Sequence, residues 1–222
     1  DVAVDTRQAR ERSTRGLDDV LLTLRGTARV QPAGAPVNLL WVLYGADEVS
    51  AEEAEDYDQV FAASATWSKQ RALDWGLPIE PLLQCTDPEL FNPGRAARAA
   101  SDRALFVGNT RRGVPRPIVE AALAAGAELD LYGTGWEEFA SATGKVRARK
   151  VANTELGQLY AEAGVVLNDH REDMRTSGFI SNRLFDAVAC GSRVLSDPVA
   201  GAEELFGGCV RFCEPSDVAQ LL

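Results

Sequence analysis

An α/β fold built on doubly wound parallel sheets is the class this sequence predicts, and two patterns carry the prediction. Short apolar runs alternate with stretches of helical period along most of the chain, and the two halves share that rhythm. In the second half the runs end in loops rich in Gly, Asn and Arg, which is where open α/β sheets place their ligands.

Taken in order, Val20-Leu-Leu-Thr-Leu24, Asn38 to Leu43, Val60 to Ala63 and Ile79 to Leu83 read as buried strands of one parallel sheet. Between the third and fourth, Ser64 to Trp75 carries apolar or small residues at helical spacing and stops at Gly76-Leu-Pro78. The acidic residues Glu48, Glu52, Glu53, Glu55, Asp56 and Asp58 read as a solvated face rather than a metal site. The leading segment, with Arg7, Arg10, Arg12 and Arg15 among acids, reads as a mixed-charge surface helix. Cys85 to Asp102, with two prolines and an Ala/Arg-rich tract, suits a crossing between domains.

Strands of the second sheet follow at Ala104 to Val107, Leu129 to Tyr132, Val165 to Leu167, Val194-Leu195 and Val210 to Phe212. Helices are expected around Pro117 to Ala125, Thr154 to Ala163, Ser181 to Ala189 and Ala202 to Phe206. The domains are drawn as 1–94, a partial first domain with the crossing segment, and 95–222. The chain opens at Asp1 and its only methionine is Met174, so the expectation is a sequence that starts inside a longer protein.

Composition narrows the function classes. The 222 residues are 45% hydrophobic and 25% charged, ordinary for a globular chain. A formal net charge of -10 argues against nonspecific binding to nucleic acid or an anionic membrane, so a phosphate site must be locally basic. With neither an apolar run of membrane-spanning length nor a secretion signal, the expected location is the cytoplasm. Cys85, Cys190, Cys209 and Cys213 lack metal-ligand spacing, and three of the four sit in apolar company, as buried free thiols do.

The chemistry-bearing residues fall in the loops of the second half. Gly178-Phe-Ile-Ser-Asn-Arg183 opens a helix, and such a start offers free backbone N–H groups and a positive dipole end to a diphosphate, with Ser181 and Phe179 in the loop and Asn182, Arg183 and Asp186 adding donors and an acceptor. Gly108-Asn-Thr-Arg-Arg-Gly-Val-Pro-Arg-Pro117 follows the first strand of this half. Gly108 and Gly113 permit close backbone approach, Asn109 lies between strand and turn, and Arg111, Arg112 and Arg116 supply charge; the Gly-Lys-Ser/Thr of a Walker loop is missing. Gly133, in Tyr132-Gly-Thr-Gly-Trp136, would shape the base or ribose side, while the third glycine and acidic partner of a dinucleotide fingerprint are lacking. The single histidine, His170, sits between Asp169 and Asp173 at another strand's end, placed to hydrogen-bond a sugar or assist proton movement.

Asp186-Ala-Val-Ala-Cys-Gly191 resembles the Glu-Ala-x-Ala-x-Gly end of the donor-site motif of GT-B glycosyltransferases related to glycosyltransferase family four. Leu167 to Met174, Gly178 to Arg183, Ser196 to Gly201, Glu203 to Gly208 and Leu83 to Pro88 together resemble the bacterial spore-maturation-type branch. The resemblance spans most of residues 36–212 and implies two Rossmann-like domains, the first truncated, and a metal-independent glycosyltransferase. Its substrate would be a nucleoside-diphosphate sugar rather than a cofactor, its acceptor an unidentified hydroxyl. A non-catalytic nucleotide- or sugar-binding protein and a sugar-nucleotide epimerase are the alternatives. Oligomeric state is not readable.

Residue by residue, the resemblance makes Arg116 the preferred diphosphate contact and gives Asp186 the place of the acid that accepts from ribose hydroxyls. The family's other acid, near the transferred sugar, falls on Gly178. That departure leaves the catalytic acid/base and the stereochemical outcome open, with Asp169 and Asp173 as substitutes near in sequence.

Overall fold

A computed structural model describes residues 19–26, 28–32, 35–99 and 101–222. The leading mixed-charge segment with Arg7 to Arg15 lies outside the described residues. The first elements in chain order are β1 (Val20–Arg25), β2 (Val37–Val42), α1 (Ala51–Glu55), β3 (Gln59–Ala62), α2 (Ala65–Trp75) and β4 (Ile79–Pro81). There follow β5 (Ala104–Val107), α3 (Pro117–Ala124), β6 (Leu129–Tyr132), β7 (Val146–Ala148), α4 (Asn153–Glu162), β8 (Val165–Asn168) and α5 (Glu172–Ser177). The last are α6 (Asn182–Ala189), β9 (Val194–Ser196), α7 (Ala202–Phe206), β10 (Val210–Phe212) and α8 (Val218–Leu221). The chain divides into two compact units, Asp1–Leu83 with Glu172–Phe179, and Gln84–Arg171 with Ile180–Leu222.

The first unit holds a four-stranded parallel sheet in the order β1-β2-β3-β4. Strand periodicity sends Leu40 and Val42 of β2 and Val60 and Ala62 of β3 to one fully buried face. The helix α2 forms where its end signals stand: the Ser64 hydroxyl accepts the Trp67 N–H at 3.0 Å, and Gly76, at φ 68°, closes the other end on the Ala72 carbonyl. Trp67 lies edge-on to Trp75 and to Phe179, with ring centroids 5.5 and 5.9 Å apart.

One residue of the acidic run departs from the expectation of a solvated face. Glu53 is buried with Arg25, each 2% exposed, in a two-point pair of 2.8 and 3.2 Å. The remaining guanidinium donors of Arg25 reach the carbonyls of Gly26 and Glu48, so the buried charge is both neutralised and hydrogen-bonded. Glu48, Glu52, Glu55, Asp56 and Asp58 are exposed, as expected.

The second unit carries six parallel strands in the order β10-β9-β8-β5-β6-β7. Chain direction across the sheet reverses between β5 and β8, and such a switch point leaves a crevice beyond the carboxyl ends of the two strands. Two apolar layers cover the sheet. Phe91, Tyr160, Leu184 and Phe206 pack on one side with α4, α6 and α7, and Phe106, Ile118, Leu129 and Trp136 pack on the other with α3 and α8.

The edge strand β7 is absent from the sequence expectation. It is three residues long and set in Lys145-Val-Arg-Ala-Arg-Lys150, whose charges suit an exposed edge; Arg147 donates to Asp130 of β6 at 2.7 Å. Of the cysteines only Cys190 is fully buried, its thiol pKa pushed up to about 11 by desolvation. Cys213 is half-buried, and Cys85 and Cys209 are exposed, a correction to the expectation that three would be interior. Cys209 follows two glycines in a turn that precedes β10, which carries it out of the core. Among the described residues no helix is long and apolar enough to cross a membrane.

Removing Arg25 alone strands a buried carboxylate, so Arg25→Met should lower stability by about 3–5 kcal/mol. The double change Arg25→Met/Glu53→Leu should recover most of that loss in urea unfolding.

Candidate functional site

The loop after β5 and the loop after β6 are stitched together by their backbones. Gly108 N–H donates to the Tyr132 carbonyl at 2.8 Å, Thr110 N–H to the Thr134 carbonyl at 3.1 Å, and Thr134 N–H to Asn109 Oδ1 at 2.8 Å. The Trp136 indole donates to the Gly108 carbonyl at 2.8 Å while its ring, 1% exposed, meets Phe106 edge-on. Gly133 has a φ of 141°, and a Cβ there would collide with the Gly108 carbonyl, so only glycine fits. Asn109 and Gly133, expected as donor contacts, are thus placed first as braces of the loop.

Beyond Thr110 the chain makes a tight reversal. Arg111 and Val114 exchange two backbone hydrogen bonds of 2.9 Å, and the central residues Arg112 and Gly113 have φ of 51° and 76°, the signs of a type I′ turn. Arg112 is the one non-glycine residue with positive φ among those described. The turn leaves Arg112 exposed and Arg111 partly covered.

Arg116 stands at the start of α3, just before Pro117, and is nearly consumed by its neighbours. Its Nε donates to Asp169 Oδ2 at 2.9 Å, Nη2 reaches Asp169 Oδ1 and the Asp169 carbonyl, and Nη1 reaches the Asn109 carbonyl at 3.2 Å. Arg183 is similarly engaged, donating to Asn168 Oδ1 at 2.6 Å and to the Val107 carbonyl at 2.5 Å. Asn168 is itself fixed by donating to the Ser196 hydroxyl at 2.8 Å. The two guanidinium groups lie 5.1 and 4.9 Å from the centroid of the Phe106 ring. Gly108 makes room for this, since a Cβ there would sit 3.0 Å from Arg183 Nη2. Burial pulls the pKa of Arg183 below the usual arginine value, a shift that Tyr160 opposes. Unlike Arg116, it has neutral oxygens as its hydrogen-bond acceptors.

Arg111 is differently placed. Its closest charge contact is Asp169 at 3.6 Å, its side chain is 31% exposed, and burial lowers its pKa while Asp169 opposes the shift. Arg111 and the exposed Arg112 are therefore the arginines of this loop with donors left for a ligand, whereas Arg116, preferred from the family motif, is occupied with Asp169.

His170 and Asp169 follow β8. The His170 backbone N–H donates to both oxygens of Asp197 at 3.1 and 3.0 Å, its Nδ1 is 2.6 Å from Asp197 Oδ1, and its Nε2 is 2.9 Å from the Ser181 N–H. The ring is fully covered, and both nitrogens are engaged, so the expected role in proton movement toward a sugar has no ring atom facing open space. Asp186 of α6 is buried and accepts from the Thr86 hydroxyl at 2.7 Å and from Asn182 Nδ2 at 3.0 Å. Burial raises its pKa, against the lowering influence of those two hydrogen bonds.

Gly178, Phe179 and Asp173 belong to the first unit, apart from the other expected site residues. Phe179 is fully buried in that unit's core beside Trp67, which corrects its expected donor-binding role. Gly178 has a φ of 72°, and a Cβ would lie 3.0 Å from Ser64 Oγ and 3.3 Å from Thr66 Cβ. A side chain at this position would meet backbone strain and close neighbours. Asp173 is half-buried on α5. Sequence reasoning gave no role to Asn168, Asp197 or Thr86; the signal available for Asp197 was its position one residue past the end of β9.

A family model described as glycosyl transferase-like matches residues 111–222, just over half of the chain. Among solved structures, a glycosyltransferase involved in avilamycin A biosynthesis, AviGT4, is 19% identical with a TM-score of 0.62, over 91% of this chain and 63% of its own. The pneumococcal O-GlcNAc transferase GtfA, solved with UDP and GlcNAc, is 12% identical with a TM-score of 0.56, over 85% and 44%. The lipopolysaccharide outer core galactosyltransferase WaaB is 16% identical with a TM-score of 0.53, over 83% and 57%. The chain spans about half to two thirds of the length of these proteins, and the likeness establishes the fold: α/β, GT-B-like, with two parallel sheets. No curated protein is significantly similar in sequence.

Two arginines of one loop should separate by stability. Arg116→Met leaves Asp169 buried without its partner and should cost about 3–5 kcal/mol in chemical unfolding. Arg111→Ala should cost less than about 1 kcal/mol in the same measurement.

Proposed function

The chain belongs to the glycosyl transferase-like family, and on that premise we propose that it moves a sugar from a nucleoside-diphosphate sugar to an acceptor hydroxyl without a metal ion. The finer placement, among relatives of glycosyltransferase family four and within their spore-maturation-type branch, rests on the motifs around Asn168, Arg183 and Asp186. In this reading the second unit binds the donor, and residues 1–94 serve the acceptor side.

One observation carries the proposal: the arginine-bearing turn after β5 and the loop after β8 follow the two strands that flank the switch point. In the transfer, the bond from the anomeric carbon to the β-phosphate oxygen breaks, the acceptor oxygen bonds that carbon, and the acceptor's hydroxyl proton passes to the departing diphosphate or to water. Negative charge then builds on the departing diphosphate. Arg111, Arg112 and the first backbone N–H groups of α6 are the groups suited to stabilise it, while Arg116 and Arg183 hold the frame. Asp186, a carboxylate held by Thr86 and Asn182, is suited to accept from sugar hydroxyls. The UDP bound by the pneumococcal neighbour supports a nucleotide donor of this type.

A non-catalytic nucleotide-sugar binder is the second reading, favoured by the left-handed, crowded backbone at Gly178, the position to which the family resemblance assigns an acid. Turnover separates the two. Release of nucleoside diphosphate from a panel of sugar donors, lost in Asp186→Ala, supports transfer; tight binding without release supports the binder. Turnover that needs no acceptor alcohol would point to an epimerase. A charge-assisted phosphate contact contributes roughly 1.5–3 kcal/mol, so Arg111→Ala should weaken UDP or GDP binding about tenfold to a hundredfold by calorimetry. Unchanged affinity would remove Arg111 from the phosphate site.

A further inference from the structure

We propose that Asp197 is a positioning residue of the donor site, acting through His170 to set the backbone at the start of α6. The proposal rests on the donor-site reading above and gives a role to a residue to which the resemblance assigned none.

A carboxylate only accepts hydrogen bonds, so the 2.6 Å contact between Asp197 Oδ1 and His170 Nδ1 places the ring proton on Nδ1. The other nitrogen, Nε2, is then a lone pair and accepts the Ser181 N–H at 2.9 Å. Ser181 is the residue just before α6, and its own side chain makes no capping hydrogen bond. The ring thus fixes the backbone immediately ahead of Asn182 and Arg183, whose N–H groups are the first of the helix.

The anchor of this relay is rigid on its own side. Asp197 takes the His170 backbone N–H on both oxygens, and the Ser196 hydroxyl, which accepts from Asn168, donates to the Asp197 carbonyl at 3.1 Å. The carboxyl ends of β8 and β9 are thereby locked to each other and to α6. The same turn of α6 carries the Arg183 guanidinium to Asn168 and the Asn182 amide to Asp186. A rotated Ser181 would displace the polar groups offered to a diphosphate, with the hydrophobic packing of α6 through Leu184 untouched.

Replacing the carboxylate by an amide keeps the shape but allows an N–H to face Nδ1. In that orientation the ring proton moves to Nε2, donor opposes donor at Ser181, and the contact is lost; with the amide oxygen at that place the Nδ1–H tautomer and the contact are kept. The chain has a single histidine, so imidazole ¹⁵N spectra report this tautomer without assignment ambiguity. The wild-type chain should show the Nδ1–H tautomer and a ¹⁵N–¹⁵N coupling between His170 Nε2 and the Ser181 amide. On adding UDP or GDP the Ser181 amide resonance should move, and on adding uridine or guanosine it should not.

An Asp197→Asn chain that shifts the tautomer should bind UDP or GDP about tenfold more weakly, the loss of about one hydrogen bond's alignment, with nucleoside binding unchanged; one that keeps the Nδ1–H tautomer should bind both diphosphates like wild type, and weakened binding there overturns the proposal. A purely structural role would lower both affinities together. A wild-type Nε2–H tautomer, or an Asp197→Asn chain that switches tautomer yet binds UDP and GDP like wild type, overturns the proposal; if Asp197→Asn does not fold, the wild-type tautomer, coupling and ligand response decide it alone. A wild-type chain that keeps the Nδ1–H tautomer but binds neither diphosphate overturns the donor-site reading and takes this proposal with it.

Discussion

The second unit depends on how it accommodates cationic side chains at the carboxyl ends of two adjacent strands. Arg116 and Arg183 lie beside the same Phe106 ring, and each buried donor must find an oxygen or carry a desolvation cost of several kcal/mol. Arg116 meets that demand with the Asp169 carboxylate and a loop carbonyl, and Arg183 with Asn168 and the end of β5. Glycine at 108 and 133, the Trp136 indole and the Asn109 amide all follow from it, since they shape the backbone that these cations cross.

From that frame a division of labour emerges. Inner arginines hold loops, and outer ones on the type I′ turn keep their donors. The chain's overall charge of -10 makes this local concentration of positive charge more selective, because long-range attraction for anions is weak and binding depends on contact geometry. The first unit solves a similar problem with a different answer: the Arg25 charge at the end of β1 is paired with Glu53, and both side chains are buried.

Much of this architecture was legible in the sequence. The apolar runs of β2, β5 and β6 and the capped helix α2 stood out because periodicity and end signals agree there. The strand β7 was hidden because an edge strand of three residues flanked by charge carries no apolar signal. Glu53 was misread for a related reason: five of six neighbouring acids are solvated, and burial of the sixth depends on Arg25, distant in sequence. At the candidate site, residue types and loops were legible, but their roles were not. A motif locates Arg116 and His170 at strand ends, yet only the fold brings Asp169 onto the one and Asp197 onto the other. Phe179 reads as part of a ligand loop because it lies in the stretch Gly178 to Arg183 that opens α6, although the chain turns it into the first unit's core.

The central claim is that an activated sugar's diphosphate sits between the turn carrying Arg111 and the start of α6. The most direct measurement is a crystal structure of this chain with UDP or GDP bound. The account predicts phosphate oxygens within hydrogen-bond distance of Arg111 and of the backbone at Asn182 and Arg183, with Arg116 still joined to Asp169. A diphosphate bound elsewhere on the second unit, or bound by Arg116 after its release from Asp169, would contradict it.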